Sequence, residues 1–507
     1  MKLYDLVVIG SGAGLNVLNY GLQMGLNCAL VENTKLGATC LTRGCIPSKV
    51  LVYPADLIRE SEHATKVGIK FDVKDINWDV ISRRMWEQIN ESNEIEEGIS
   101  GVTNLDLFKG VGEFIGNYEM QVKSVETGDI IGHFKGKKFL LASGARSFIP
   151  PIEGLEDVGY ITNENFFGDK FPKKPWKSLI IIGGGVIAAE FAHIFSAFGT
   201  EVIIVEMLPR LVITEEPEIS KFLEDNLKNH MKVYVNHKAI RAKSKKNVKF
   251  VTLLNVNTDQ EIEVQAEEIL VATGRSSNAD LLKVENTGVE IDKRGWIKTN
   301  YFMETTKANI WCIGDANGIY QFRHKANYES EICVNNMFGS AEEKKEAEYS
   351  AVPWAIFSYP QIGHVGMTEA EALEKGHEIY IAIKKYSSIA KGFAMGYEKN
   401  DIDDGFVKLV VDKTYKILGA HVIGPHAAIL VQPFVYLMNS GYTCELPDYK
   451  GRVDLPMIEK ACPEAGSFMP IYKSMVIHPS LNEVAGWAIG NLQPVNISGH
   501  HHHHHEE

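Results

Sequence analysis

Apolar residues in this chain fall into short unbroken runs separated by helix-period segments. Leu6-Val7-Val8-Ile9 precedes the turn Gly10-Ser11-Gly12-Ala13-Gly14, which leads into a helical pattern and then Ala29-Leu30-Val31, ending at Glu32. The middle of the chain repeats this grammar. Leu179-Ile180-Ile181-Ile182 precedes Gly183-Gly184-Gly185-Val186-Ile187-Ala188, then a helical stretch, then Val202-Ile203-Ile204-Val205, ending at Glu206. Such runs predict parallel strands buried on both faces. Two further strands, Leu140-Leu141 before Ala142-Ser143-Gly144 and Leu270-Val271 before Ala272-Thr273-Gly274, each close the segment that one glycine-rich turn opened. Strand-prone segments lie between them; in one, Val248, Phe250, Thr252, Leu254 and Val256 share a face at period two, which predicts an antiparallel strand. Beyond Pro353, the runs Phe406 to Val411 and Ile417 to Ile423 predict an α+β unit.

The fold expected is therefore α/β: two Rossmann-like dinucleotide-binding domains, one inserted in the other, plus a C-terminal α+β domain. The first is placed at 1–150 and 274–347, the second at 151–273 and the third at 348–492; 498–507, with its six-histidine run, reads as an expression tag.

Composition narrows the function. With 45% hydrophobic and 23% charged residues the chain can bury a large core, which excludes disorder. A net charge of −13 argues against nucleic acid or an anionic membrane as a partner, since both select basic surfaces. The longest apolar stretch, Leu179 to Ala189, is broken by three glycines and falls short of the roughly 20 residues that cross a bilayer. No removable leader is expected ahead of the first strand, and seven thinly spread cysteines make no disulfide framework. A cytoplasmic enzyme is the expectation.

A Gly-x-Gly turn between strand and helix lets backbone approach a pyrophosphate, to which the helix N-terminus offers unpaired N–H groups. An acidic residue ending the next strand accepts from a ribose diol. Gly10 and Gly12 with Glu32 fit this pattern, as do Gly183 and Gly185 with Glu206. At the third small position the second site has Ala188, while the first has Leu15 preceded by Gly14, which predicts looser helix-to-strand packing there. The carboxylate of Glu206 would repel a 2′-phosphate, so NAD is expected over NADP in the second site.

The stretch Gly37-Ala38-Thr39-Cys40-Leu41-Thr42-Arg43-Gly44-Cys45-Ile46-Pro47-Ser48-Lys49 carries the chemistry. In a straight helix residues five apart are separated by about 7.5 Å in rise alone, beyond the Cα separation of about 7 Å that a disulfide tolerates. A Cys40–Cys45 bond therefore needs a distorted segment, which Gly44 permits, with Pro47 starting a regular helix. A cysteine at that helix start, near Arg43 and Lys49, should have a depressed pKa. By spacing alone, two unrelated buried thiols stand as the other reading.

These motifs resemble the pyridine nucleotide–disulfide oxidoreductases, and within them the dihydrolipoamide dehydrogenase branch. The likeness runs through Cys40-x4-Cys45 with Pro47-Ser48-Lys49, Ala142-Ser143-Gly144 with Arg146, Ala272-Thr273-Gly274-Arg275, Gly314-Asp315 and His478-Pro479-Ser480-Leu481-Asn482-Glu483. It implies FAD in the first site, with Glu32 on the adenosine ribose and Asp315 on the ribityl chain; Gly10, Gly12, Gly14, Thr39, Lys49, Ser143, Gly144, Arg275 and Gly314 complete that set. NAD falls to Gly183, Gly185, Ala188, Glu190, Glu206 and Gly274. The resemblance further implies that Cys45 lies beside the flavin, that Cys40 exchanges with substrate, and that Lys49 sits near flavin N5 paired with Glu190. The bland alternative for Lys49 and Glu190 is two solvated helix charges.

Ser480-Leu481-Asn482-Glu483 is also a capping-box pattern, in which Glu483 only ties down a helix start and His478 is an ordinary loop residue. Thiol–disulfide exchange, however, needs a base that takes and returns a proton, and an imidazole oriented by a carboxylate supplies one. The resemblance implies that dyad, contributed by the partner subunit of a homodimer. It also implies a dithiol/disulfide substrate, with the lipoyl domain of a 2-oxoacid dehydrogenase or glycine cleavage system as one candidate.

Some positions depart from the family pattern. Ala38 replaces a glycine, Thr42-Arg43 puts a cation in the redox loop, and Cys444 to Pro470 is unusually long, readable as a surface excursion or a lid over Cys40. Cys28, Cys312 and Cys333 are expected in the core, and no metal ligands are expected. The alternative activities are reduction of another low-molecular-weight disulfide, toward which His324-x-Ala326-Asn327 points, mercuric-ion reduction, for which no cysteine follows Cys462, and a non-catalytic flavoprotein subunit.

Overall fold

The computed structural model describes residues 1–413, 416–440, 469–480 and 482. Glu483, Cys444 and Cys462, and the Cys444 to Pro470 excursion apart from Met469 and Pro470, lie outside them.

The chain opens with β1 (Lys2–Ile9), α1 (Gly14–Gln23) and β2 (Cys28–Glu32), followed by α2 (Ala38–Arg43), α3 (Cys45–His63) and α4 (Trp78–Ser100). Strands β3 (Leu105–Gly116), β4 (Glu119–Ser124) and β5 (Ile130–Leu141) complete the segment. β1 runs parallel to both β2 and β5, and the chain returns to this sheet at Ile310–Cys312, parallel to β5. The β1 run is buried on both faces because helices cover one side and β3 to β5, which pair antiparallel, wrap the other.

The second unit repeats the arrangement. Ser178–Ile182 pairs parallel with Glu201–Val205 and with Glu268–Val271, and the helix Val186–Ala197 crosses between the first two. A three-stranded antiparallel sheet, His237–Lys245, Val248–Asn255 and Glu261–Ala266, covers it. In its middle strand the core takes Val251 and Leu253, not the Val248 to Val256 set; Val256 is exposed. Apolar residues occupy both faces of that strand, so period alone does not say which face meets the core.

The C-terminal unit is a five-stranded antiparallel sheet with Ile362–Gly366 and Ile417–Ile423 adjacent at its centre and the helix Ala427–Met438 packed on it. Cys28, Cys312 and Cys333 are fully buried. Among the described residues no helix is long and apolar enough to cross a membrane.

Candidate active site

Both glycine-rich turns are shaped by the same contact. Gly10 (φ 98°) and Gly183 (φ 117°) lie so close to the Ala142 and Ala272 carbonyl oxygens that a Cβ would come within 2.2 Å of each. That approach lets the strand ends Ala142-Ser143-Gly144 and Ala272-Thr273-Gly274 cross over the turns, so the repeated grammar of the sequence is a repeated packing constraint. Packing is not loose at Leu15, contrary to expectation. A Cβ on Gly14 would stand 2.9 Å from Val8 Cγ1, so Gly14 makes the close approach itself.

The acidic residues close the turns. Glu32 Oε2 accepts from the Ser11 N–H (2.9 Å) and hydroxyl (2.7 Å), while Oε1 accepts from the Thr34 N–H (2.9 Å) and hydroxyl (2.8 Å). Glu206 Oε2 accepts from the Gly184 N–H at 2.6 Å and Oε1 from the Leu208 N–H at 2.8 Å. Arg210 also lines the cavity, but its guanidinium is engaged, donating to the Glu215 and Ile213 carbonyl oxygens at 2.8 and 3.0 Å.

A cavity of about 1120 Å³ joins the two turns and the redox stretch. Gly12, Thr39, Cys40, Cys45, Lys49, Gly144, Gly274, Arg275, Gly314 and Asp315 line it, as do Gly183, Gly185, Glu190, Glu206 and His478. Gly10, Gly14, Glu32, Ser143 and Ala188 do not; they stand behind the wall and shape it.

The redox stretch breaks at Gly44, where the sequence called for a distortion. α2 ends at Gly44 and α3 starts at Cys45, with Pro47 in its first turn. A Cβ at position 44 would stand 2.8 Å from the Thr39 carbonyl oxygen, so the sharp break demands glycine. The break brings the Cys40 and Cys45 side chains into hydrogen-bond contact as free thiols. The Cys40 hydrogen bond, then the Lys49 and His478 charges, pull the Cys45 thiol down to about 6, overcoming burial and Glu190. Cys40 moves the opposite way, well above its ordinary value, as donor to Cys45 and by burial.

Within the redox stretch Lys49, not Arg43, is the cation that acts on Cys45: Arg43 donates to Thr34 Oγ1 at 3.0 Å. Lys49 Nζ lies 2.9 and 2.8 Å from the two Glu190 oxygens and 4.7 Å from the Phe357 ring centroid, and Glu190 also accepts from the Phe357 N–H at 3.1 Å. These are not solvated helix charges. His478 lines the cavity, and Gln432 on the helix Ala427–Met438 anchors its approach through Met475 (3.0 Å) and Ile477 (3.3 Å).

Ala38 sits at φ 53°, a left-handed conformation that glycine adopts freely and alanine adopts at a cost. Ala38→Gly is expected to stabilise the protein by about 1 kcal/mol, read as a raised denaturant midpoint at unchanged slope; a midpoint that stays put or falls would show that the strain is offset elsewhere.

Three contributors escaped the sequence reading. Lys325 and Glu329, both fully buried, pair at 2.8 Å. Glu329 accepts from the Gly314 N–H at 2.7 Å and Lys325 donates to the Gly314 carbonyl at 3.1 Å, so the pair holds the turn carrying Asp315. An i,i+4 Lys/Glu spacing hinted at a pairing, but its burial was invisible. His324, noted only for its resemblance, lines the cavity with Nε2 on the Pro353 carbonyl at 2.7 Å, and burial lowers its pKa to about 4.

The family model for pyridine nucleotide-disulphide oxidoreductases matches residues 4–330, and that for the family's dimerisation domain matches 352–453. The chain belongs to this family. It is 30% identical over 504 residues to dihydrolipoyl dehydrogenase of Chlamydia muridarum, covering 98% of each chain. Mycothione reductase of Mycobacterium tuberculosis is 29% identical, with 87% of this chain and 94% of that protein covered. Among solved structures, the Cu(II) complex of the HOCl-induced flavoprotein disulfide reductase RclA from Escherichia coli aligns at TM-score 0.72 and 26% identity, over 89% of this chain and 97% of that one. Membership makes the protein a flavoprotein disulfide oxidoreductase that uses FAD and NAD(P), and its dimerisation domain supports homodimer formation. The cavity suits such cofactors: Arg43 Nε, Arg275 Nε and His324 Nδ1 are buried at its wall without a hydrogen-bond partner. Unmet polar atoms of this kind are costly unless a polar ligand engages them.

Proposed function

We propose that the protein is a dihydrolipoamide dehydrogenase, oxidising a dithiol and passing the electron pair to NAD⁺. The observation that carries this reading is the convergence of a low-pKa Cys45, its partner Cys40 and His478 in one cavity with both glycine-rich turns. Gly12 and the N-terminus of α1 face one end of the cavity and would hold the FAD pyrophosphate, with Asp315 and Arg275 along its length. Gly183, Gly185 and Glu206 would hold NAD. Bound FAD supplies the electron transfer between thiolate and nicotinamide.

The residues of the chain handle the sulfur chemistry. His478 takes a proton from the substrate dithiol, and the resulting thiolate attacks Cys40 of the Cys40–Cys45 disulfide. Cys45 leaves as a thiolate, which Lys49 and the start of α3 stabilise. Once the base is free again, the second substrate thiol gives up its proton and attacks the mixed disulfide. The substrate leaves as a cyclic disulfide and Cys40 as a thiol, so two electrons and two protons have left the substrate. Glu483 would orient His478, and lipoyl arms of a larger complex would supply the dithiol in a homodimer.

A steady-state panel of NADH and NADPH against lipoamide, oxidised glutathione and mycothione tests the assignment. Lipoamide with NADH is expected to be turned over fastest; a tenfold preference for a different disulfide would replace the reading. That second reading has its own support in the mycothione reductase likeness and the cavity-facing His324.

Glu206 and the occupied Arg210 favour NAD(H). Glu206→Ser is expected to raise kcat/KM for NADPH relative to NADH by about tenfold, by removing a charge that would face the 2′ position of a bound nucleotide. An unchanged ratio would take Glu206 out of cofactor choice.

A further inference from the structure

Behind the cavity wall, three buried side chains from remote parts of the chain converge. Neighbouring strands place Trp354, His364, His421 and Lys408 directly opposite one another in register, a row across one face of the C-terminal sheet. Glu215 meets this row from the loop that follows Glu206 in the second dinucleotide unit. Glu215, His364 and His421 are each 1% exposed or less.

Hydrogen bonding fixes which ring atoms face inward. His364 Nε2 lies 3.0 Å from the Gly366 carbonyl oxygen, and His421 Nε2 lies 3.0 Å from that of Met367. A carbonyl only accepts, so both Nε2 atoms carry hydrogen, and a ring with no second hydrogen turns an Nδ1 lone pair inward. The two Nδ1 atoms are 3.2 Å apart, and Glu215 Oε2 is 2.9 Å from that of His364. The other carboxylate oxygen is taken by Trp354 Nε1 at 2.6 Å. With both rings so arranged, Glu215 and the two Nδ1 atoms, all within 4.8 Å of one another, repel unless a metal ion or a proton sits among them. Lys408 is not that cation, being committed to Glu216, Glu218 and Glu369 at 3.0, 3.0 and 2.8 Å.

We propose that Glu215, His364 and His421 form a binding site for a divalent transition metal, with zinc the best fit. Ligands about 2.0–2.1 Å from a tetrahedral zinc stand about 3.3 Å from one another, close to the 2.9 and 3.2 Å measured here. All the potential ligand atoms lie within 4.8 Å of one another. Two imidazoles and one carboxylate are a borderline donor set of the kind zinc takes, and imidazoles anchored through their far nitrogen to backbone carbonyls are what surrounds such ligands. The metal would pin the second dinucleotide unit to the C-terminal sheet, directly behind Trp354 at the cavity wall. The alternative occupant is a single proton, held as an imidazolium on His364.

The test uses FAD-loaded, full-length protein with its His500 to His505 run cleaved off and Cys40–Cys45 kept oxidised, so that neither competes for metal. Dialysis against zinc followed by elemental analysis is expected to find one zinc per chain. Cobalt(II) should bind with the intense visible absorption of a four-coordinate site, a measurement that needs no variant. In His364→Gln and Glu215→Gln the zinc affinity should fall by about a hundredfold or more. Wild-type protein that takes up neither metal, or either variant retaining full stoichiometry, would overturn the site and leave the proton as its occupant.

Discussion

Cys45→Ser is expected to lower lipoamide-linked turnover by about a thousandfold or more while leaving FAD bound, because the thiolate that carries the electron pair onward is gone. Stopped-flow mixing of the wild type with dihydrolipoamide should show the long-wavelength absorption of a thiolate lying against a flavin, and Cys45→Ser should lack it. An identical band in the variant would reverse the roles given to Cys40 and Cys45. The pH dependence follows from the same geometry. The Cys45 thiol is pulled below its ordinary value to about 6, so the thiolate is present above that pH and lost as pH falls through it. Alkylation of the reduced protein should accordingly rise through a midpoint near 6. In Cys40→Ala, which removes the largest cause of the shift, the midpoint should move upward.

Lys325→Met should give the largest loss of stability, about 3–5 kcal/mol, since removing one partner of a buried pair strands the other charge. Glu329 would keep its hydrogen bonds from Gly314, Asn317 and Tyr349 but lose its only cation among the described residues. Because the same pair holds the Gly314–Asp315 turn, FAD should dissociate more readily, which gel filtration followed by flavin absorbance would show. Adding Glu329→Gln should recover part of the loss, for the stranded charge is then removed as well. A single variant as stable as the wild type would mean that water or a rearranged side chain satisfies Glu329.

Much of the site is legible in one dimension because its parts act locally. A glycine turn, its strand and its helix lie within one continuous stretch, from Lys2 to Gln23 or from Ser178 to Ala197, and the Gly44 break between Cys40 and Cys45 is a constraint on neighbouring residues. Lys49 beside Cys45 follows from one helical turn. The partnership of Lys49 with Glu190 is different in kind: 141 positions separate them, and only the likeness to a family suggested it. Arg43 shows the limit of charge counting, for it sits two residues from Cys45 yet points to Thr34.

From the residues alone came the two glycine-turn units and the acidic residue that ends each second strand, since backbone sterics and strand periodicity act over short stretches of chain; pairing Cys40 with Cys45 needed the family resemblance. Folding in three dimensions decided the rest. It set which face of the Val248–Asn255 strand is buried, which cation lowers Cys45, how Lys325 and Glu329 support the Asp315 turn, and how Glu215, His364 and His421 come together. Those outcomes depend on burial and on side-chain direction between distant segments, which turn a solvated charge into a costly one and which no local spacing encodes.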